Sequence, residues 1–367
     1  MRGEIVKVSG PLVVAAGLGE ARLGEAALIG KKRLVGEILD MAGDTATLQV
    51  YGETAGLGPG AEVVLTGALL SAELGPGLIA SLFDGIGRPV LDRERRWAFS
   101  PTVTVGRKVG AGDVVGTVQE TDALLHKIMV PPGVQGTVAE VHSGERTVAE
   151  TVVIVRDQDG VDHKITLIQR WPIRLGRPYH VRTAPTGLLH TGQERVDALF
   201  PLRKGGTAAV AGPSGSGKTK FLCALAEKAD VDVVVYIGCG MRGNEIAALP
   251  TERTVRVVST ADMPPAMREA SVYTGLAIAE YYRDMGYEVA VIADTLDFGD
   301  LAARFYGRAG VVQCLGAEGR RGSLAAIGAV SSPCPAMMRL VRAFWKLGAG
   351  ADLEGRSFYA DSQEGEQ

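Results

Sequence analysis

A β-rich N-terminal half followed by a parallel α/β core is the fold class this sequence predicts: multidomain, β plus α/β. Three observations carry it. Short β-branched runs separated by glycine turns fill residues 1–66, a second β-rich stretch follows at about 106–182, and from about 187 onward continuous apolar strands alternate with helices. Evenly spaced short strands with glycine turns point to a small barrel. Apolar strands alternating with helices point to a parallel sheet covered on both faces.

Taken in order, EIVKVSG, LVVAAG, RLVGEILDM, TATLQVYG and LGPGAEVVLTG give an N-terminal β-barrel over residues 1–68. Residues 69–108 connect it to the rest and begin the last, α/β domain, and LLSAELGPGLIASLFDGIGRPVL there is expected to include one short helix. Residues 109–186 carry GAGDVVGTV, HKIMVPPGVQGTVAEV, TVVIVRDQDG and HKITLIQRWPI, with almost no helical periodicity. The last domain, 187–367, opens on the buried strand TAAVAGP and an amphipathic helix over 218–230. The strand VDVVVYIG, a helix over 270–285, the strand EVAVIAD and weaker strands at GVVQCLG and LAAIGAV complete it.

Composition narrows the function classes. With 367 residues, 46% of them hydrophobic, the chain can bury two or three cores. A formal charge of -3 leaves no electrostatic footprint for nucleic acid or an anionic membrane. No apolar stretch is long enough to span a bilayer, and MRGEIVKVSGPLVV lacks the h-region of a signal peptide. Cys223, Cys239, Cys314 and Cys334 show no metal spacing and read as free thiols, so a cytoplasmic location is expected.

The strongest motif is GPSGSGKT: Gly212, Pro213, Ser214, Gly215, Ser216, Gly217, Lys218 and Thr219. Glycines there let backbone N–H groups turn inward around the phosphates of a nucleotide. Lys218 supplies a point charge, Thr219 a hydroxyl for Mg2+, and the following helix its N-terminal partial charge. A second strand-end residue, Asp294 of EVAVIAD, is placed to hold the same metal. Between them the run VDVVVYIG ends at Gly240-Met241-Arg242-Gly243-Asn244-Glu245. Arg242 could reach a terminal phosphate. Glu245 could orient water or serve as the carboxylate at a helix start. Met241 can do neither acid nor base work.

At these residues the chain resembles the catalytic A subunit of the V/A-type rotary ATPases. The likeness covers the barrel, FDGIGRPV, GDVVGTV, HKIMVPPGVQGTV, RWPIRLGRPY, TGQERVDALFP, the phosphate motif and REASVYTGLAIAEYYRDMGYEVAVIAD. It implies a RecA-like P-loop NTPase core and makes 109–186 the bulge insertion of A subunits. The same HKIMVPPG stretch has a rival reading as a biotinyl-carrier hairpin around Lys127, but the methionine that should precede the lysine is missing. Family members read G-E-R-G-N-E where this chain has Met241, so the resemblance implies a lost general base. They also carry longer segments after Glu245 and after Thr295, and S-P-P-G-G-D-F-S-E-P where this chain has only Ser331-Ser332-Pro333-Cys334-Pro335. The chain ends soon after Phe358-Tyr359-Ala360, so the family's C-terminal helical domain is expected to be missing. Phe358 matches the family's adenine contact.

The expected function is therefore ATP binding with hydrolysis impaired, Lys218, Arg242 and Glu245 remaining as the catalytic candidates. The expected setting is a ring, formed with a B-like subunit or by self-association and joined to a membrane sector only through other subunits. A working ATPase subunit of a reduced proton- or sodium-translocating machine is the first alternative, and a nucleotide-free structural ring subunit the second.

Overall fold

The computed structural model describes residues 1–88, 91–185, 187–213, 215–296, 299–331 and 358–359. Six strands close the N-terminal barrel: β1 (Arg2–Ser9), β2 (Leu12–Ala16), β3 (Glu25–Ile29), β4 (Leu34–Ala42), β5 (Thr45–Val50) and β6 (Glu62–Leu69), in the order β1-β2-β5-β4-β3-β6. Strand alternation sends Ala46, Leu48 and Val50 of β5 inward against Ile5, Val13 and Ile29. Beyond the barrel the expected short helix does not form among the described residues. β7 (Ser71–Leu74) and β8 (Leu82–Phe83) occupy that segment. A Cβ at Gly75 would lie 2.5 Å from Ile168, and Gly77 sits at φ +99°, so the chain turns where a helix would have to run.

A sandwich follows, built from β9 (Arg96–Pro101), β10 (Lys108–Val109), β11 (Val114–Thr121), β12 (Leu124–Met129), β13 (Gly136–Val141), β14 (Gly144–Thr147), β15 (Thr151–Arg156) and β16 (Asp162–Thr166). Its sheets, β12-β11-β9-β14 and β10-β13-β15-β16, enclose Trp97, Phe99, Val115, Val138 and Val153. Lys127 lies within β12 rather than at a hairpin tip, and its ammonium donates to the Met285 carbonyl at 2.7 Å. That geometry removes the biotinyl-carrier reading. β17 (Gln169–Pro172) then pairs with β7 and leads back toward the core.

The α/β core comprises β18 (Val181–Thr183), β19 (Leu188–Leu189), α1 (Glu194–Leu199), β20 (Leu202–Arg203), β21 (Thr207–Ala211), α2 (Lys218–Lys228), β22 (Val233–Met241), α3 (Gly243–Ala247), β23 (Thr254–Thr260), α4 (Pro265–Asp284), β24 (Glu288–Asp294), α5 (Gly299–Gly307), β25 (Gly310–Gln313), β26 (Arg321–Val330) and β27 (Phe358–Tyr359). The main sheet runs β18-β25-β26-β24-β22-β23-β8, with β21 beside β26 and β27 beside β21. Its central pairs are parallel, while β25 and β18 close one edge antiparallel. Alternation along β22 explains why the run is apolar throughout. Val234 and Tyr236 pack with Leu222 and Leu225 of α2, whereas Val235 and Ile237 pack with Tyr273 and Leu276 of α4. Among the described residues no helix is long and apolar enough to cross a membrane.

Candidate active site

Because β21, β22 and β24 run parallel, their carboxyl ends converge on one edge of the sheet. There a cleft of about 900 Å³ opens, lined by Gly215, Lys218, Thr219, Met241, Arg242, Glu245 and Asp294 among others. The loop from β21 to α2 begins at Gly212, whose N–H donates to the Val330 carbonyl at 3.1 Å. Gly215 and Gly217 take φ of +83° and +86°, and nothing lies within 4 Å of a Cβ added at either. Glycine is thus demanded by backbone conformation, and the space beside it is open. Ser214 lies outside the described residues. Pro213 is exposed on the loop, and the Ser216 hydroxyl is buried without a partner among the described residues.

Lys218 starts α2 and is only 7% exposed. Its ammonium donates to the carbonyls of Gly212 and Pro213 at 2.7 and 2.8 Å, so it folds across its own loop. Thr219 hydrogen-bonds Asp294. Asp294, 4% exposed at the end of β24, also accepts a hydrogen bond from the Tyr236 hydroxyl at 3.1 Å. Burial raises its pKa above the ordinary carboxylate value; the Thr219 and Tyr236 bonds and the Lys218 charge pull the other way, while Glu245 adds to the rise. A hydroxyl and a carboxylate are hard oxygen donors of the kind Mg2+ takes. Among the described residues no group of three His, Cys, Asp or Glu could hold a metal alone. A cation here would therefore share its coordination with phosphate oxygens and water.

Met241 ends β22 just past a register shift against β23, where Gly240 adopts φ +76°. It is 4% exposed and belongs to the apolar cluster of Val258, Leu249 and Tyr236. Its Sδ stands 2.1 Å from where a Cβ on Gly238 would be, so that glycine makes room for the thioether. Arg242 is exposed beside the cleft, and Glu245 accepts the Arg242 backbone N–H at 2.8 Å, closing the first turn of α3. Glu245 thus serves as the helix-start carboxylate while still facing the cleft. Phe358 belongs to β27, where its backbone pairs beside Val210 of β21.

Sequence reasoning missed Tyr236. Its place within an apolar run marked it as core, and only the alternation of β22 reveals that its hydroxyl reaches Asp294. It also missed Cys223, half-buried in the cleft with its thiol 3.9 Å from that hydroxyl. Cys239, a buried thiol of the same cleft, is pushed up to about 12 by burial and by the Asp294 charge.

Comparison with known proteins agrees with this fold. Residues 5–67 match the ATP synthase alpha/beta family beta-barrel domain, 88–174 the alpha/beta subunit barrel-sandwich domain, and 192–299 the family's nucleotide-binding domain. The V-type ATP synthase alpha chain of Acetivibrio thermocellus is 48% identical over 413 positions, covering 94% of this chain and 70% of that one. This chain belongs to the V-type ATP synthase alpha chain family. The Clostridioides difficile alpha chain is 46% identical, with 95% of this chain and 70% of the relative covered. An alignment of 413 positions exceeds the chain's 367 residues, so these alpha chains carry internal segments missing here. The fold also matches the assembled ATPase EscN of the enteropathogenic E. coli type III secretion system. That match has a TM-score of 0.60 at 20% identity and covers 93% of this chain and 74% of EscN.

Proposed function

We propose that this alpha-family chain is a nucleotide-holding ring subunit whose own hydrolytic step is impaired. One observation carries the reading: at the strand tip where the family places a general-base glutamate stands Met241, a thioether packed into an apolar cluster. General-base assistance contributes about 10²–10⁴-fold to rate. Binding draws on other groups. The Gly215–Gly217 backbone and Lys218 would hold the phosphates of ATP or ADP, and Thr219 and Asp294 would hold Mg2+, with Phe358 as the adenine platform. Because a general base acts mostly in the transition state, its loss should leave affinity nearly intact. Arg242 would face the terminal phosphate. The ring would include a B-like partner or further copies of this chain, on the aqueous side of a membrane and joined to it through other subunits.

The test is Mg-ATP affinity and steady-state turnover measured together on wild type, Met241→Glu and Lys218→Ala. The reading expects wild type to bind with negligible turnover, Met241→Glu to gain rate, and Lys218→Ala to lose binding. Wild-type turnover at rates ordinary for rotary ATPases, abolished in Lys218→Ala, would establish the working-subunit alternative, with Glu245 as the residue to examine next. Wild type that binds no nucleotide would leave only the structural role.

A further inference from the structure

At the opposite edge of the main sheet lies a second cavity, about 360 Å³ in volume, between the segment entering β18 and the last turns of α4 and α5. Its wall includes Arg177, Arg182, Arg283 and Arg308 with a single carboxylate, Glu280. α4 relates this cavity to the nucleotide cleft. Arg268 near its start packs beside Gly240, while Arg283 lies fifteen residues further along the helix, a separation of roughly 20 Å.

Charge makes the cavity unusual. Arg283 and Arg177 share Asp284, through contacts of 2.7 and 2.6 Å. Arg283 and Arg308 share Glu280, at 3.4 and 2.9 Å. Three guanidinium groups thus meet two carboxylates, and Arg182 adds a fourth, which donates to the Gly307 carbonyl at 3.3 Å. The ends of α4 and α5 contribute about half a negative charge each. A surplus of about one positive charge remains after that allowance. Arg177 is 4% exposed and stacked on Trp171 and Tyr281, and its Nη1 is buried with no hydrogen-bond partner among the described residues. Guanidinium groups with unused donors in a concave, partly desolvated wall select oxyanions, which they bind in bidentate fashion.

We propose that this cavity binds a phosphate-bearing anion, independently of the glycine loop. The ligand is either free inorganic phosphate or pyrophosphate, or the phosphate tail of a nucleotide. Arg182, exposed at the rim on β18, closes over it, while Arg177 and Arg308 supply the inner positive wall.

The experiment uses the full chain carrying Lys218→Ala, which disables the glycine loop, and follows thermal unfolding against pyrophosphate, phosphate and ATP at constant ionic strength set with sodium chloride. A saturable rise in midpoint is expected. Adding Arg182→Glu should weaken the apparent Kd about tenfold or more, the loss of one charge-assisted contact. If Arg182→Glu does not give a native circular dichroism spectrum, Arg182→Ala decides instead. A response to phosphate and pyrophosphate assigns a free oxyanion, and a response to ATP alone assigns a nucleotide tail. No saturable response to any of the three, or an equal response after substitution of Arg182, overturns the proposal. Because Lys218→Ala is present throughout, the outcome is separate from whether the glycine loop itself binds nucleotide.

Discussion

Asp294 shows how a single residue can be set against the fold it belongs to. Burial raises its pKa, so between the ordinary carboxylate range and that raised value the native chain holds a proton that the unfolded chain has released. Stability of the nucleotide-free protein therefore falls as pH rises through that window. A bound cation would reverse the effect by favouring the carboxylate. We expect Asp294→Asn to raise the unfolding midpoint of the metal-free chain at neutral pH and to flatten this pH dependence. The same substitution should abolish any strengthening of nucleotide binding by Mg2+. Thermal scans from pH 4 to 8, with and without Mg2+, check both halves, and a midpoint lowered at every pH would show that Asp294 is stabilising as an anion. The side chain at 241 is the counterpart. Its thioether packs into an apolar cluster, so on the proposed reading Met241→Glu should cost stability even as it gains rate.

Among the elements, β22 carries the tightest constraint. A Cβ on Gly238 would meet Met241 Sδ at 2.1 Å and Val258 at 3.4 Å. Gly238→Ala should therefore destabilise by about 1–3 kcal/mol through overpacking. In a Met241→Ala background most of that cost should vanish, a coupling that urea unfolding of the four proteins in the cycle would measure. Equal costs in both backgrounds would mean that the methionine has moved out of the way unaided. Much at this scale was legible in the sequence. Apolar runs ending at turns mark β21, β22 and β24, and the phosphate motif identifies the start of α2, because in each the local pattern and the final environment agree. β23 was not legible: TVRVVST mixes Arg256 and Ser259 into a short run, and it becomes a strand by pairing beside β22. β7 and β8 were hidden similarly, since their partners β17 and β23 lie far along the chain. The contact between Tyr236 and Asp294 depends on which face of β22 each side chain takes, and a run apolar on both faces does not reveal that.

Across the whole molecule the sandwich, the connecting segment and the core are tied together at one buried point. Glu120 of β11 accepts N–H groups from Gly77 and Ile79 at 2.8 and 3.2 Å, meets Nδ1 of His126 at 2.7 Å, and accepts the Tyr282 hydroxyl of α4. Nε2 of His126 stands 2.9 Å from the Tyr281 hydroxyl. HKIMVPPG marked this stretch for its resemblance, yet nothing in its spacing showed that His126 would be fully buried against a helix 155 residues away. Burial alone would raise the pKa of Glu120, but His126 and the two backbone donors outweigh it and hold the carboxyl below its usual value. An acid whose native pKa is lowered contributes stability above its unfolded value and loses it as pH falls through the native one. Glu120→Gln removes that titration and leaves a neutral amide among donors arranged for an anion. At neutral pH it should cost about 1–3 kcal/mol, as for leaving buried donors without the acceptor they are arranged for. The gap from wild type should narrow as pH drops below the ordinary carboxylate range, because wild type loses there what the variant never had. Urea unfolding of both proteins at pH 7 and pH 4 measures the gap directly. A gap that stays constant would mean that the carboxylate charge contributes nothing to joining the domains and that its shape alone matters.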